Sequence, residues 1–295
     1  MAITASLVKE LRERTGAGMM ECKKALVETA GDIEAAIEAM RKSGQAKAAK
    51  KAGRIAADGV IELRVADDAA RGVMVEVNSE TDFVAKDDNF KAFAAALADA
   101  CLASEAADVQ ALAALPLPAL GADTVDAARE MLISKVGENV QLRRLVRFDD
   151  PQGQVYSYRH GVRIGVLVEL IGGNDELGRD IAMHIAASNP VCVSADDVPV
   201  EALAKERDIF RAQALESGKP EAIVDKIIEG RMRKYMEEVT LLGQAFVKDP
   251  DQQVSKLLQQ AGASVVRFAR LEVGEGVEKK VENFAEEVQA QARQT

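Results

Sequence analysis

The sequence predicts an α+β fold with a helical amino-terminal module, a duplicated core, an inserted antiparallel helical hairpin and a carboxyl-terminal helix. Residues 4–44 show only the apolar spacing of helices, whereas residues 59–78 and 153–170 each hold two alternating, β-branched segments. Helical patterns follow both pairs of segments, so the same order of elements occurs twice along the chain. Each half is therefore expected to form a small sheet with helices on one face.

Three short helices are predicted at the amino terminus. Thr4 or Ser6 is expected to cap the first helix, and a pair of glycines ends it. The second helix is predicted at residues 19–29, and the third begins near residue 32. Such a module resembles the ubiquitin-associated fold. Residues 45–57 are rich in Ala and Lys and are interpreted as a linker.

The predicted core repeats one set of elements. The first half, residues 55–150, has strands at 59–65, 72–78 and 139–148 and helices from about 88 and 123. The second half, residues 151–197 and 236–275, has strands at 153–160, 162–170 and 264–273 and helices from about 177 and at 251–262.

An insertion interrupts the second half at residues 198–235, where two helical runs carry no strand signal. Gly218 and Pro220 suit the turn between two antiparallel helices. The narrow apolar seam favours a hairpin that projects over one that lies flat on the core. The predicted seam consists of Ala202, Leu203, Ile209, Phe210, Ala214, Ile223, Val224, Ile227, Ile228 and Tyr235. Residues 276–295 are predicted to form an amphipathic helix that docks either on the core or on a partner.

Composition and charge exclude several classes of protein. No apolar run approaches the ~20 residues of a membrane span. A charged helical segment directly follows the first six residues, a pattern that differs from that of a signal peptide. Three isolated cysteines form neither a metal nor a disulfide pattern, so the reducing cytoplasm is the expected compartment. The net charge of −10 argues against a primary nucleic-acid binder.

Positive charge is concentrated in residues 1–54, which hold 11 Lys and Arg against 7 Asp and Glu. This part has a net charge of +4, and the rest of the chain carries −14. The cations at the end of this part are interpreted as a solvated connector rather than as an RNA-binding site, and attraction to an acidic protein partner is a third alternative. These cations are Lys47, Lys50, Lys51 and Arg54.

Patterns for catalysis and for nucleotide binding are missing from the sequence. There is no phosphate-binding Gly-x-x-x-x-Gly-Lys-Ser/Thr, so direct nucleotide binding is not expected. No cofactor and no metal are predicted either. His184 lies in an apolar helical segment that favours a structural role, and His160 lies at a turn between two strands. Neither can be combined with a nucleophile into a catalytic set.

Phe83 is an aromatic residue in a polar connection between a predicted strand and a predicted helix. Its neighbours Ser79, Thr81 and Asp82 are turn and cap residues. Spacing alone favours Phe83 as a small satellite of the core. The alternative is an exposed loop residue with a function.

Two stretches resemble the signatures of the elongation factor Ts family, and both stand in the family's order. Residues 76–86 read Glu-Val-Asn-Ser-Glu-Thr-Asp-Phe-Val-Ala-Lys, and residues 11–26 begin Leu-Arg-Glu-Arg-Thr-Gly-Ala-Gly-Met-Met. The resemblance covers essentially the whole chain and continues at residues 50–53, 57–59, 137–139, 158–161, 230–232 and 273–276.

The resemblance implies a guanine-nucleotide exchange factor without a catalytic site of its own. Its partner would be elongation factor Tu, GDP-bound or nucleotide-free, with no need for nucleic acid or membrane and with a possible higher-order assembly. Thr81, Asp82, Phe83 and Val84 would press into the GTP-binding domain and dislodge Mg²⁺, with Phe83 as the wedge. Asp82 would contact the partner or cap the local turn.

The resemblance also implies contacts away from the wedge. Arg12, Met19 and Met20 would bind the same domain of the partner, and Met repacks easily at such a surface. His160, Phe246 and Val247 would grip another domain. Ala245 stands where relatives usually have Pro, and Ser79-Glu80 stands where Cys-Gln is often seen.

Two other classes of function stay open at this stage. One is a hydrolase or transferase with a site between the duplicated halves, and the other is a ubiquitin-like adaptor with an unrelated body. The adaptor does not explain residues 81–84. A pull-down with elongation factor Tu, compared with a screen of the chain alone for hydrolase activity, discriminates the exchange factor from an enzyme.

Overall fold

The computed structural model describes residues 3–216 and 221–278, and it confirms the predicted α+β class. The helices are α1 Ala5–Thr15, α2 Met19–Glu28, α3 Ile33–Lys51, α4 Asp82–Lys86, α5 Asp88–Leu102, α6 Val109–Ala113, α7 Val125–Val136, α8 Asp175–Ser188, α9 Val200–Glu216, α10 Glu221–Val239 and α11 Val254–Gln260. The strands are β1 Asp58–Val65, β2 Gly72–Ser79, β3 Gln141–Phe148, β4 Gln154–His160, β5 Ile164–Ile171, β6 Ala245–Phe246, β7 Asp249–Gln253 and β8 Ser264–Glu272.

Helices α1, α2 and α3 pack around the buried side chains of Leu11 and Leu26. Thr4 is the cap of α1, because its hydroxyl accepts a hydrogen bond from the Leu7 amide at 3.3 Å, and Ser6 lies inside the helix. Gly16 ends α1 with a φ of 67°, a left-handed conformation that glycine adopts without a steric penalty.

The predicted linker at residues 45–57 is wrong over its first part, because α3 continues to Lys51. Ala48 is buried in the core of the first half, and α3 lies along α7. Ala and Lys are strong helix formers, so the burial of one face against α7 is sufficient to prolong the helix. The amino-terminal helices are thus packed directly on the core.

Three cations at the end of α3 have protein partners, which weakens the RNA-binding alternative. Lys47 pairs with Glu21, Lys51 donates to the Gly137 carbonyl, and Arg54 pairs with Glu80. Cations held in this way would have to give up these contacts in order to neutralise phosphates.

The predicted repeat corresponds to two three-stranded antiparallel sheets of the same topology, with strand orders β1-β2-β3 and β4-β5-β8. The pairing register shifts directly after Glu76 in β2 and directly after Glu169 in β5. Helices α5 and α7 share a core with the first sheet, and α8 and α11 share one with the second.

The two sheets also pack on each other, which the sequence patterns did not predict. Ile61 and Met74 of the first sheet share a core with Leu167 and Leu271 of the second. Gly165 permits this approach, since a Cβ there would lie 2.5 Å from the Ile61 side chain. Strand β2 is consequently buried on both faces.

Helices α9 and α10 make their contacts chiefly with each other, around the buried side chains of Ala214, Val224 and Ile228. Ile209 and Ile223 are exposed, so their predicted place in the seam is wrong. The predicted turn at residues 217–220 lies outside the described residues, as does the carboxyl-terminal helix beyond residue 278. Within the described ranges, no helix is both long and apolar enough to span a membrane.

Candidate functional site

Phe83 lies on the outer side of the short helix α4, and the residue is 80% exposed. The prediction of a core satellite is therefore wrong. The opposite side of α4 holds the helix in place, because Ala85 is buried and Val84 packs on the core of the first half. The aromatic ring of Phe83 is therefore exposed to solvent, whereas the backbone that carries it is held by the buried contacts on the opposite side of α4.

Thr81 and Asp82 have different roles at the start of α4. The Thr81 hydroxyl is the cap and accepts from the Val84 amide at 3.4 Å. Asp82 is exposed and accepts a hydrogen bond from Lys86 at 2.6 Å, which holds the pKa of its carboxyl below the ordinary value. Of the four predicted residues, Asp82 and Phe83 face solvent, whereas Thr81 and Val84 serve the packing of α4.

Three reciprocal hydrogen bonds join the start of α4 to the turn that follows α7. Both carboxylate oxygens of Glu138 accept from Thr81, one from its amide at 3.0 Å and the other from its hydroxyl at 2.7 Å. In return, the Glu80 carboxylate accepts from the Asn139 amide at 2.6 Å. We call these four residues the clasp. Sequence reasoning assigned no role to Glu138 or Asn139, because the partners are far apart in the chain.

Arg12, Met19 and Met20 come together at a groove between α1 and α2. Met19 is 60% exposed and Met20 is 75% exposed, although both begin a helix that buries its other face. The groove is lined by Ile3, Thr4, Ala5, Val8, Lys9, Arg12, Met19, Met20 and Lys23. Its apolar floor and basic rim suit contact with an acidic, partly apolar protein surface.

The predicted residues of the second half divide into exposed and buried ones. His160 is exposed at the end of β4, where its Nδ1 lies 3.3 Å from the Tyr158 hydroxyl. Val247 is 43% exposed, whereas Phe246 is buried in the core of the second half and offers no exposed side chain for the predicted contact. Phe246 instead supports the segment that presents Val247.

His184 has the structural role that its apolar surroundings predicted. It is fully buried, and its Nδ1 accepts from the Val247 amide at 3.2 Å. Its Nε2 lies 2.9 Å from the side-chain oxygen of Gln244 and donates to it in the neutral tautomer that this pairing requires. Burial lowers the pKa of the imidazole, against the raising effect of Gln244. His184 thus ties the segment before β7 to α8.

In residues 3–216 and 221–278, no three or more His, Cys, Asp or Glu side chains are grouped so that they could hold a metal ion.

Known proteins resemble this chain along its whole length. The sequence profile described as elongation factor TS matches residues 80–275. The elongation factor Ts of Thioalkalivibrio sulfidiphilus is 63% identical over 294 residues, which are 99% of each chain. Those of Methylococcus capsulatus and Alkalilimnicola ehrlichii are 61% and 59% identical over 293 residues, again 99% of each chain. Identity at this level over the full length shows common descent, and the chain belongs to the elongation factor Ts family.

Proposed function

We propose that the chain is a guanine-nucleotide exchange factor that acts on elongation factor Tu, and that Phe83 carries the exchange. The observation that carries this proposal is the exposed phenylalanine ring on a short, anchored helix. An aromatic side chain brings a large apolar area into an interface and loses little entropy when it inserts. The chain needs no catalytic residue, cofactor or nucleotide site for this action.

The mechanism follows from linkage between the two ligands of the partner. Suppose that a protein binds the nucleotide-free partner more tightly than the nucleotide-bound partner. It then lowers the partner's affinity for nucleotide by the same ratio. GDP is held largely through its phosphates and Mg²⁺. Phe83 would enter beside the metal and displace the groups around it, with Asp82 at its side. GTP binding would later expel the factor by the same coupling.

Two further surfaces would hold the partner while Phe83 acts. The groove of Arg12, Met19 and Met20 would bind the GTP-binding domain, and His160 with Val247 would contact another domain. The proposed organisation has a ubiquitin-associated-like module at 1–54, core halves at 55–150 and at 151–197 with 236–275, an inserted hairpin at 198–235 and a terminal segment at 276–295. The second helix of the hairpin, α10, continues past the proposed boundary to Val239. The site of action would be the cytoplasm, where translation proceeds.

The direct test is the release of labelled GDP from elongation factor Tu, with and without the chain. The release rate should rise with the concentration of the chain and then saturate. Removal of Mg²⁺ with a chelator should speed spontaneous release and shrink the additional effect of the chain. An unchanged release rate would contradict the proposal, and equal stimulation with and without Mg²⁺ would contradict the metal-displacement step.

Replacing Met19 and Met20 together by Ala is expected to raise the half-saturating concentration about tenfold, a loss of about 1.4 kcal/mol of binding. The maximal release rate should change little, because Phe83 is intact. Titration of GDP release measures both quantities. The matched control replaces the exposed Leu215 and Ile223 of α9 and α10 by Ala. Equal weakening by the control would overturn the special role of the groove.

A further inference from the structure

We infer that Glu138 is a positioning residue, which sets the direction of Phe83 by holding Thr81, the residue that caps its helix. The two oxygens of Glu138 accept the amide and the hydroxyl hydrogens of Thr81. Hydrogen bonds to a charged acceptor are stronger than neutral ones, and two of them on one residue fix orientation as well as distance. Thr81 is the cap of α4, so the orientation of the helix follows that of Thr81.

The helix needs such support because it is short. Helix α4 has 5 residues, and a single isolated turn is unstable in water since nucleation costs more than one hydrogen bond returns. Its buried contacts come from one side only, through Val84 and Ala85. Rotation about that side would swing the exposed ring of Phe83, and the bonds to Glu138 oppose this rotation.

Glu138 itself lies in a turn that other parts of the chain hold. Gly137 ends α7 in the left-handed conformation, with a φ of 76°. Asn139 is buried, donates its amide to Glu80 and donates its side-chain amide to the Arg54 carbonyl at 2.7 Å. Arg54 completes the connection with an ion pair to Glu80 at 2.6 Å. These hydrogen bonds and the ion pair hold the turn that carries Glu138. They also attach the segment that follows α3 to this turn.

The orientation can be measured on the chain alone, without any partner. The chain contains no Trp, so Phe83→Trp places a single indole on α4. Time-resolved fluorescence anisotropy then reports the local motion of that helix. In this background, Glu138→Ala and Thr81→Val should each increase the amplitude of fast local rotation, whereas Thr81→Ser keeps the hydroxyl and should match the parent.

Two comparisons separate positioning from general destabilisation. The effects of Glu138→Ala and Thr81→Val on the local rotation should be less than additive in the double variant, because both substitutions remove the hydrogen bond from the Thr81 hydroxyl to Glu138. Glu105→Ala removes an exposed carboxylate elsewhere in the first half and should leave the anisotropy unchanged. Local rotation that is the same in Glu138→Ala and in the parent would overturn the inference.

The kinetic test rests on the proposed exchange function. With Phe83 present, Glu138→Ala should lower the maximal rate of GDP release about tenfold, the equivalent of about 1.4 kcal/mol. The half-saturating concentration should change less, since the other two surfaces still bind. Thr81→Ser should retain the rate that Thr81→Val loses. A wild-type chain that releases no GDP would refute the exchange function alone, whereas an unchanged maximal rate in Glu138→Ala would refute the positioning role.

Discussion

Replacing Phe83 by Ala is expected to lower the stimulated rate of GDP release by about 30-fold to 1000-fold, the equivalent of about 2–4 kcal/mol at an interface anchor. The substitution removes the ring that would enter the partner and leaves the helix beneath it unchanged. Binding should fall less than exchange, because the groove and the surface of the second half are intact. Stopped-flow GDP release, together with a binding titration against nucleotide-free elongation factor Tu, measures the two effects separately.

The stability of the Phe83→Ala variant distinguishes a wedge from a core residue. Phe83 is 80% exposed, so its removal should change the free energy of unfolding by no more than about 0.5 kcal/mol. The matched control is Phe90→Ala on the neighbouring helix, where the ring is fully buried and its removal should cost about 3–5 kcal/mol. Strong destabilisation by Phe83→Ala with normal exchange per folded molecule would refute the wedge.

A large loss of stability is also expected at Glu76, a buried carboxylate in the middle strand of the first sheet. It accepts hydrogen bonds from Arg143 at 3.0 Å, from the Gly274 amide at 2.9 Å and from Arg144. Glu76→Gln should lower the free energy of unfolding by about 3 kcal/mol, since breaking a buried ion pair leaves its partners without a counter-charge. Chemical denaturation measures the change.

Glu169→Gln is the matched variant in the second half. Glu169 occupies the corresponding place beside the register shift of β5, where it accepts from Arg267 and from the Gln152 amide, each at 2.6 Å. It has one arginine partner rather than two, so its replacement should cost less than that of Glu76. A larger loss at Glu169 than at Glu76 would contradict this account of the buried carboxylates.

The acid sensitivity of the fold should also depend on Glu76. Burial raises the pKa of this carboxyl, but the hydrogen bonds from Gly274, Arg144 and Arg143 outweigh burial and lower it below the ordinary value. The stabilisation is therefore present above the ordinary pKa of about 4.3 and is lost as the pH falls through the lowered pKa of the folded state. Glu76→Gln should make the unfolding free energy depend less steeply on pH below about 4.3. An unchanged acid dependence would show that Glu76 does not contribute.

Local patterns in the sequence were sufficient for the six long strands, the long helices and the family, but the short helices α4 and α6 were not predicted. Alternation and helical spacing depend on neighbouring residues only, so the strand pairs at the start of each half were placed within two residues of their observed ends. The short pairing of β6 with β7 was missed, because its first strand has only two residues, too few for a periodic signal.

The sequence by itself thus determined that this is an α+β chain with a repeated core, and that residues 76–86 carry the signature of its family. Only the tertiary structure decided that Phe83 is exposed, that α3 continues onto α7, and that Glu138 holds Thr81 from 57 residues away. The physical reason is the range of the interactions. Periodicity records which face of an element is apolar, whereas exposure and long-range hydrogen bonds depend on which distant segments fold against that face.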